Sequence, residues 1–319
     1  MKLVTYVTRG QSAAAGRPGA IVGDRIVDLQ DAMNVASVLE LLQRGEGGMS
    51  QARSVVEAAA TDAEMQAKGA LVSDVVLLAP IPRPTSMRDG YAFRQHVEAA
   101  RRNRGVEMIP EFDLFPVFYF TNHQAVTGPG DVAVQDLHLN RLDFELECAI
   151  VIGREGRNIK ASEADEYIAG YTVMNDWSAR ALQMEEMKLS LGPAKGKDFA
   201  TSIGPYLATR DELAARRIPG ESGERYDLAM ATRVNGTEVS RGNLRDMTWT
   251  FAQILERASY GVTLYPGDVI GSGTVGTGCF LELNGSKISD NWWLKDGDVV
   301  ECEIDLLGTL RNTVKRVGP

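Results

Sequence analysis

The chain has 319 residues, of which 44% are hydrophobic and 24% charged, and its formal net charge is -9. Such a composition makes a globular protein with room for one large domain or two smaller ones. The negative charge speaks against a nucleic-acid or anionic-membrane partner, and no apolar run is long enough for a transmembrane span.

Residues 1–78 are expected to form a small α/β accessory domain. Strands at 3–6, 20–22 and 25–28 precede helical patterns at 38–43 and 50–68, with no clustered acid, histidine or nucleophile. The first residues turn polar by Thr8-Arg9 and lack the apolar stretch of a secretory signal, so a cytoplasmic protein is expected. Proline-rich 78–84 reads as a stiff linker, and 79–319 as a second, catalytic domain. There the spacing predicts a helix over 89–103, whose cluster Arg101-Arg102-Asn103-Arg104 makes a solvated face. Segment 105–130 is unusually apolar; it either covers a pocket, sits in a dimer contact, or enters the core as a strand.

Strand-like runs follow at 144–153, 168–174, 204–209, 226–234, 268–271, 279–284, 298–305 and 309–316. Short helices are expected near 161–166, 177–187, 210–216 and 248–257. Asn235-Gly236 and Asn284-Gly285 are taken as hairpin turns. Many strands without regular βαβ alternation argue for an α+β fold with a barrel-like core. Cys148, Cys279 and Cys302 lie far apart in apolar contexts and are expected as buried free thiols.

The segment Asp143-Phe144-Glu145-Leu146-Glu147 carries the strongest chemical signal. Apolar residues alternate through it, so Glu145 and Glu147 fall on one strand face, about 7 Å apart along the backbone. Such carboxylates repel, and a hard divalent cation resolves the conflict; the alternative is a solvated face with two ordinary glutamates. Asp176 and Asp89 are further acids, and each could equally be a helix cap. His96 follows Asp89 by two helical turns, on the same face if one helix holds both, and is a candidate general base. Lys197, among small residues, offers a point charge to a substrate. Residues 271–276 match a dinucleotide fingerprint, but 279–283 is expected to be a strand, leaving no helix N-terminus for a pyrophosphate.

Taken together, Asp89 with His96, Phe144-Glu145-Leu146-Glu147, Asn175-Asp176-Trp177-Ser178-Ala179-Arg180 with Gln183, Gly196-Lys197-Asp198-Phe199 and Leu281-Glu282-Leu283 resemble the fumarylacetoacetate hydrolase superfamily, in its order and over roughly 80–319. The resemblance implies a mixed β-roll catalytic domain and a homodimer. It implies Glu145, Glu147, Asp176 and Asp89 as ligands of Mg²⁺, with Mn²⁺ or Ca²⁺ as alternatives. It makes His96 the base, Glu282 the acid that orients it, and Lys197 an oxyanion contact. Tyr91, Arg180, Gln183 and Thr274 would line the substrate pocket. The implied activity is hydrolytic C–C cleavage of a 1,3-dicarbonyl or acylpyruvate carboxylate, such as fumarylacetoacetate or fumarylpyruvate, in aromatic-compound catabolism. The alternative is an isomerase, decarboxylase or hydratase of 2-oxo or 2-hydroxy-dienoic diacids. Ala181 and Gly90 depart from the family pattern, which bears on pocket shape.

Overall fold

Period-two hydrophobicity organises the molecule around one strand that is buried on both faces. A computed structural model describes residues 1–318, with backbone only at 63, 65 and 66. It is an α+β fold whose strands, in chain order, are β1 (Lys2–Thr8), β2 (Arg17–Val22), β3 (Arg25–Asp28), β4 (Met87–Gly90), β5 (Phe118–Phe120), β6 (Gly130–Val134), β7 (Leu146–Ile152), β8 (Ile168–Asp176), β9 (Thr201–Thr209), β10 (Ala229–Val234), β11 (Thr237–Asn243), β12 (Val269–Gly271), β13 (Val299–Ile304) and β14 (Gly308–Arg316). The main helices are α1 (Val38–Gln43), α2 (Gly45–Thr61), α3 (Arg94–Arg102), α4 (Arg180–Met187), α5 (Phe251–Ser259) and α6 (Phe280–Gly285). The large sheet runs β3-β2-β1-β9-β8-β7-β12-β4-β5, and a five-stranded sheet runs β11-β10-β13-β14-β6.

Every residue of β7 is buried. Its odd and even side chains serve two cores, because successive side chains leave a strand on opposite faces. Leu146, Cys148, Ile150 and Ile152 join the larger core with Ile304, Leu310 and α5. Ala149 and Val151 join a second core with Met174, Ile203 and Val269. Leu3 from β1 and Leu41 and Leu42 from α1 close that second core. The N-terminal residues therefore seal the far face of the central sheet, and β1 pairs directly with β9.

Three expectations change. The segment 89–103 is not one helix: Asp89 lies in β4, which pairs parallel to β12, and α3 starts only at Arg94. A side chain at Gly90 would stand 2.9 Å from the Gly271 carbonyl oxygen, so the ladder holds this stretch extended. Residues 280–285 form α6 rather than a strand, and Asn284-Gly285 ends that helix instead of turning a hairpin. The Asp143 carboxylate captures the N–H groups of Phe280 (2.7 Å) and Leu281 (3.0 Å), which nucleates the turn in a run whose composition suits a strand. Segment 105–130 enters the large sheet at its edge as β5. The Asn235-Gly236 hairpin between β10 and β11 and the three buried free cysteines are as expected.

Contact between β8 and β9 is close enough to test. A Cβ on Gly170 would lie 2.3 Å from the Ala208 carbonyl oxygen, which is backbone and cannot rotate away. Gly170→Ala should lower the unfolding free energy by about 1–3 kcal/mol in urea titration. An unchanged midpoint would show that these strands have room to part.

Candidate active site

The sheet register brings four acids to one end of adjacent strands. Asp176 ends β8, Glu147 is the second residue of the antiparallel β7, and Asp89 lies near the end of β4. Between β7 and β4 runs β12, which ends at Gly271, opposite Ala149 and Asp89. A Cβ on Gly271 would meet Asp89 Oδ1 at 2.5 Å and Glu147 Oε2 at 2.8 Å, so the missing side chain is what lets the two carboxylates meet. Glu145 precedes β7, where its N–H donates to Asn175 Oδ1 at 3.0 Å. The ligand oxygens of Asp89, Glu145, Glu147 and Asp176 all lie within 4.8 Å of one another, and all four residues are buried. Asp176 is a strand end rather than a cap: α4 starts at Arg180, with Ala179 in the cap position.

Few positive charges oppose this cluster. Lys197 Nζ donates to Asp176 Oδ2 at 2.6 Å and to Glu145 Oε2. Arg180 donates to Glu145 Oε1 (2.7 Å), to Asp143 Oδ2 (2.8 Å) and to Gln183 Oε1 (2.9 Å). Burial opposes the charge on Lys197, but Asp176 and Glu145 outweigh it and keep the ammonium protonated. Burial would also raise the Glu145 carboxyl, yet Lys197 and Arg180 hold it below the usual carboxylate range. Glu147 and Asp89 lack such partners. Burial first, and their neighbouring acids second, push Glu147 well up and Asp89 up to about 8. Gly273 N–H, 3.1 Å from both Asp89 Oδ1 and Glu147 Oε2, is their shared donor. Asp176 Oδ1 is buried with no hydrogen-bond partner among the described residues. An all-oxygen donor set, an orphaned carboxylate oxygen and acids driven toward neutrality fit a hard divalent cation.

Beside the cluster, His96 Nδ1 faces Glu282 Oε2 at 2.6 Å, and both residues are buried. With the carboxylate ionised, Nδ1 carries the proton and Nε2 keeps its lone pair. Asp89 comes from the end of β4 and His96 from α3, so a strand end and a helix share what one helix was expected to hold, and Glu282 comes from α6 instead of the expected strand. Asp89, Tyr91, His96, Glu145, Arg180, Gln183, Lys197, Thr274 and Glu282 line one cavity of about 630 Å³. Glu147 and Asp176, the remaining expected residues, are fully buried within the acid cluster. Tyr91 packs edge-on to the His96 ring, and Thr274 Oγ1 is 3.5 Å from Glu147 Oε1.

Sequence reading missed several participants. Tyr119 donates to Asp176 Oδ2 at 2.7 Å; nothing in an apolar run marks which ring will face an acid. Asp143 links Arg180 to the start of α6; it stands two residues before Glu145, but the strand breaks between Asp143 and Leu146, so alternation does not carry through. Asn103 and Arg104, expected on a solvated face, line the cavity, as do Met184 and Met187. A helix does follow the glycine-rich 271–276 loop. Its first N–H groups are taken by Asp143, and the loop N–H of Gly273 faces the acids, so these donors are already engaged.

Acids clustered with a lysine at a sheet end, beside an imidazole–carboxylate dyad and under one cavity, form the candidate active site. The family signature described as fumarylacetoacetate (FAA) hydrolase C-terminal matches residues 85–315. The chain belongs to the fumarylacetoacetate hydrolase family. It is similar to the mitochondrial oxaloacetate tautomerase Fahd2a of Rattus norvegicus, at 32% identity over 299 residues, covering 92% of this chain and 85% of that one. Oxaloacetate tautomerase YisK of Bacillus subtilis is 31% identical over 314 residues, covering 93% and 95%. A solved fumarylacetoacetate hydrolase from Exiguobacterium antarcticum superposes with a TM-score of 0.73 at 27% identity, covering 99% and 100%. No helix among the described residues is long and apolar enough to cross a membrane.

The acid cluster gives stability a pH dependence when no cation is bound. Carboxyls raised in the folded state hold their protons more tightly there than in the unfolded chain, where such groups titrate near about 4. Their contribution is complete below that value and is lost as the pH rises toward about 8, the value for Asp89. Protein kept in chelator should therefore show a melting temperature that falls between pH 5 and 8, and added Mg²⁺ should flatten the curve. A flat profile in chelator would mean that the four acids are already compensated.

Proposed function

We propose that this chain is a divalent-cation-dependent isomerase that interconverts the keto and enol forms of a 2-oxo diacid, with oxaloacetate as the test substrate. The observation that carries the reading is the His96–Glu282 dyad opening onto the same cavity as the acid cluster. Support for isomerisation over cleavage comes from the two relatives named as oxaloacetate tautomerases, which align over more than nine tenths of this chain.

Asp89, Glu145, Glu147 and Asp176 would hold Mg²⁺, with Mn²⁺ or Ca²⁺ suited to the same oxygens. When bound, the cation supplies Lewis acidity that polarises a 2-oxo carbonyl and so acidifies the adjacent C–H. His96 Nε2 takes the proton from that carbon, while Glu282 accepts from Nδ1–H and stabilises the imidazolium. Proton return to the oxygen completes the enol, and the reverse path restores the ketone. Lys197, protonated by its setting, donates toward the developing negative oxygen, a kind of contact worth about 3–4 kcal/mol. Arg104 lines the cavity and makes no ion pair among the described residues, which suits it to a substrate's far carboxylate.

Hydrolytic cleavage of an acylpyruvate, the reading drawn from the sequence, is the second proposal. The same dyad could draw its proton from water instead of carbon, and the Exiguobacterium fumarylacetoacetate hydrolase is a structural match. Place in aromatic catabolism, a homodimeric state and a cytoplasmic location go with that reading and stand as proposals of the same kind.

Two experiments separate these possibilities. Oxaloacetate added in its enol form should lose its ultraviolet absorbance faster with enzyme and Mg²⁺, while acylpyruvates release no pyruvate. Pyruvate release with no effect on the enol would overturn the isomerase reading in favour of cleavage. His96→Ala should lower kcat by roughly 10²–10⁴-fold while calorimetric Mg²⁺ affinity stays within about threefold; Glu147→Ala should abolish that affinity. Turnover by His96→Ala near that of the unsubstituted enzyme would remove the imidazole as base.

A further inference from the structure

A second group of buried side chains has the donor set of a softer ion. One ligand atom from each of His96, Cys279 and Glu282 lies within 4.8 Å of the other two, and all three residues are buried. His96 comes from α3; Cys279 immediately precedes α6, and Glu282 is the third residue of that helix. Cys279 has no part in the reaction proposed above. We propose that His96, Cys279 and Glu282 form a second cation site, selective for thiophilic divalent ions such as Zn²⁺, whose occupation inhibits the enzyme.

The donor types carry the selectivity. Imidazole, thiolate and carboxylate are the protein ligands that zinc takes, whereas the neighbouring cluster offers oxygen alone and suits Mg²⁺. His96 and Glu282 line the cavity, so three protein ligands leave a coordination position facing open space. One thiolate and one carboxylate neutralise a dication, which matters in a site removed from water. Without a cation, burial first and the Asp143 charge second keep the Cys279 thiol protonated, and it is no nucleophile. Binding releases the thiol proton to solvent and forms a sulfur–metal bond. It also exchanges the 2.6 Å His96–Glu282 hydrogen bond for bonds to the cation, and the proton displaced from Nδ1 passes to Nε2 by way of solvent. With Nδ1 on the ion and Nε2 protonated, His96 has no lone pair with which to act as base, and the enzyme stops even with the acid cluster filled.

The inhibitory half rests on the reading of His96 as the base; the binding half does not. Co²⁺ titrated into protein saturated with Mg²⁺ should give a thiolate-to-cobalt charge-transfer band with a stoichiometry of one ion per chain. The band should be missing from Cys279→Ser and Cys279→Ala, whose circular dichroism and Mg²⁺-supported turnover match those of the unsubstituted protein. Under saturating Mg²⁺, Zn²⁺ should cut turnover at least tenfold in the unsubstituted enzyme and spare both variants. No charge-transfer band would overturn the proposal, and equal zinc inhibition of all three proteins would overturn it too and point to the acid cluster as the zinc site. A band in a protein that turns over no 2-oxo diacid would support the site while sinking the functional reading above.

Discussion

Four carboxylates buried within a few ångströms of one another are the constraint on which the rest of this structure depends. Like charges in a low-dielectric interior repel strongly, and two cations do not cancel four anions. Lys197 and Arg180 are spent on Glu145, Asp176 and Asp143, so Glu147 and Asp89 carry the unrelieved part. The fold tolerates this because Asp89, Glu147 and Asp176 sit on interior strands with a neighbour on each side, and Glu145 is tied by its N–H to Asn175 beside Asp176. A flexible support would let the charges separate. A sheet of this kind cannot, and the excess negative potential stays available for a cation.

Rigidity at the cluster reaches the dyad through one buried side chain. Asp143 accepts from Arg180 Nε on one side and from the first N–H groups of α6 on the other. Arg180 in turn grips Glu145, and α6 carries Glu282. The chain Glu145–Arg180–Asp143–α6–Glu282 thus sets where the His96 imidazole stands relative to the acids. Hydrogen bonds to charged groups in such a dry setting are strong, and leaving one member unpaired is costly. The segment around Asp143 therefore serves the cluster and the dyad together.

Isomerisation and hydrolysis draw on the same parts of this site. Both begin with a carbonyl polarised beside an imidazole that can take a proton; they differ in whether that proton comes from carbon or from water. The cavity is also lined by the apolar Val117, Met184, Met187 and Leu281 and by the charged Arg104. The fold is shared with solved members of the family, and fold alone does not choose the reaction.

Much of this was legible in the sequence because the signals were local. Alternation over 144–152 and the paired glutamates follow from neighbouring residues, although the strand itself begins only at Leu146; Glu282 as the partner of His96 came from the family resemblance and not from local pattern. The tertiary structure decided what depends on distant pairing. Asp89 is a strand residue because Gly271, far along the chain, runs beside it. Residues 280–285 coil because Asp143, well over a hundred residues earlier, caps them. Tyr119, Arg104 and Cys279 stand at the site because an edge strand, a helix end and a loop converge there. Periodicity reports which face a residue takes within its own element; which faces meet is settled only when strands choose partners across the chain.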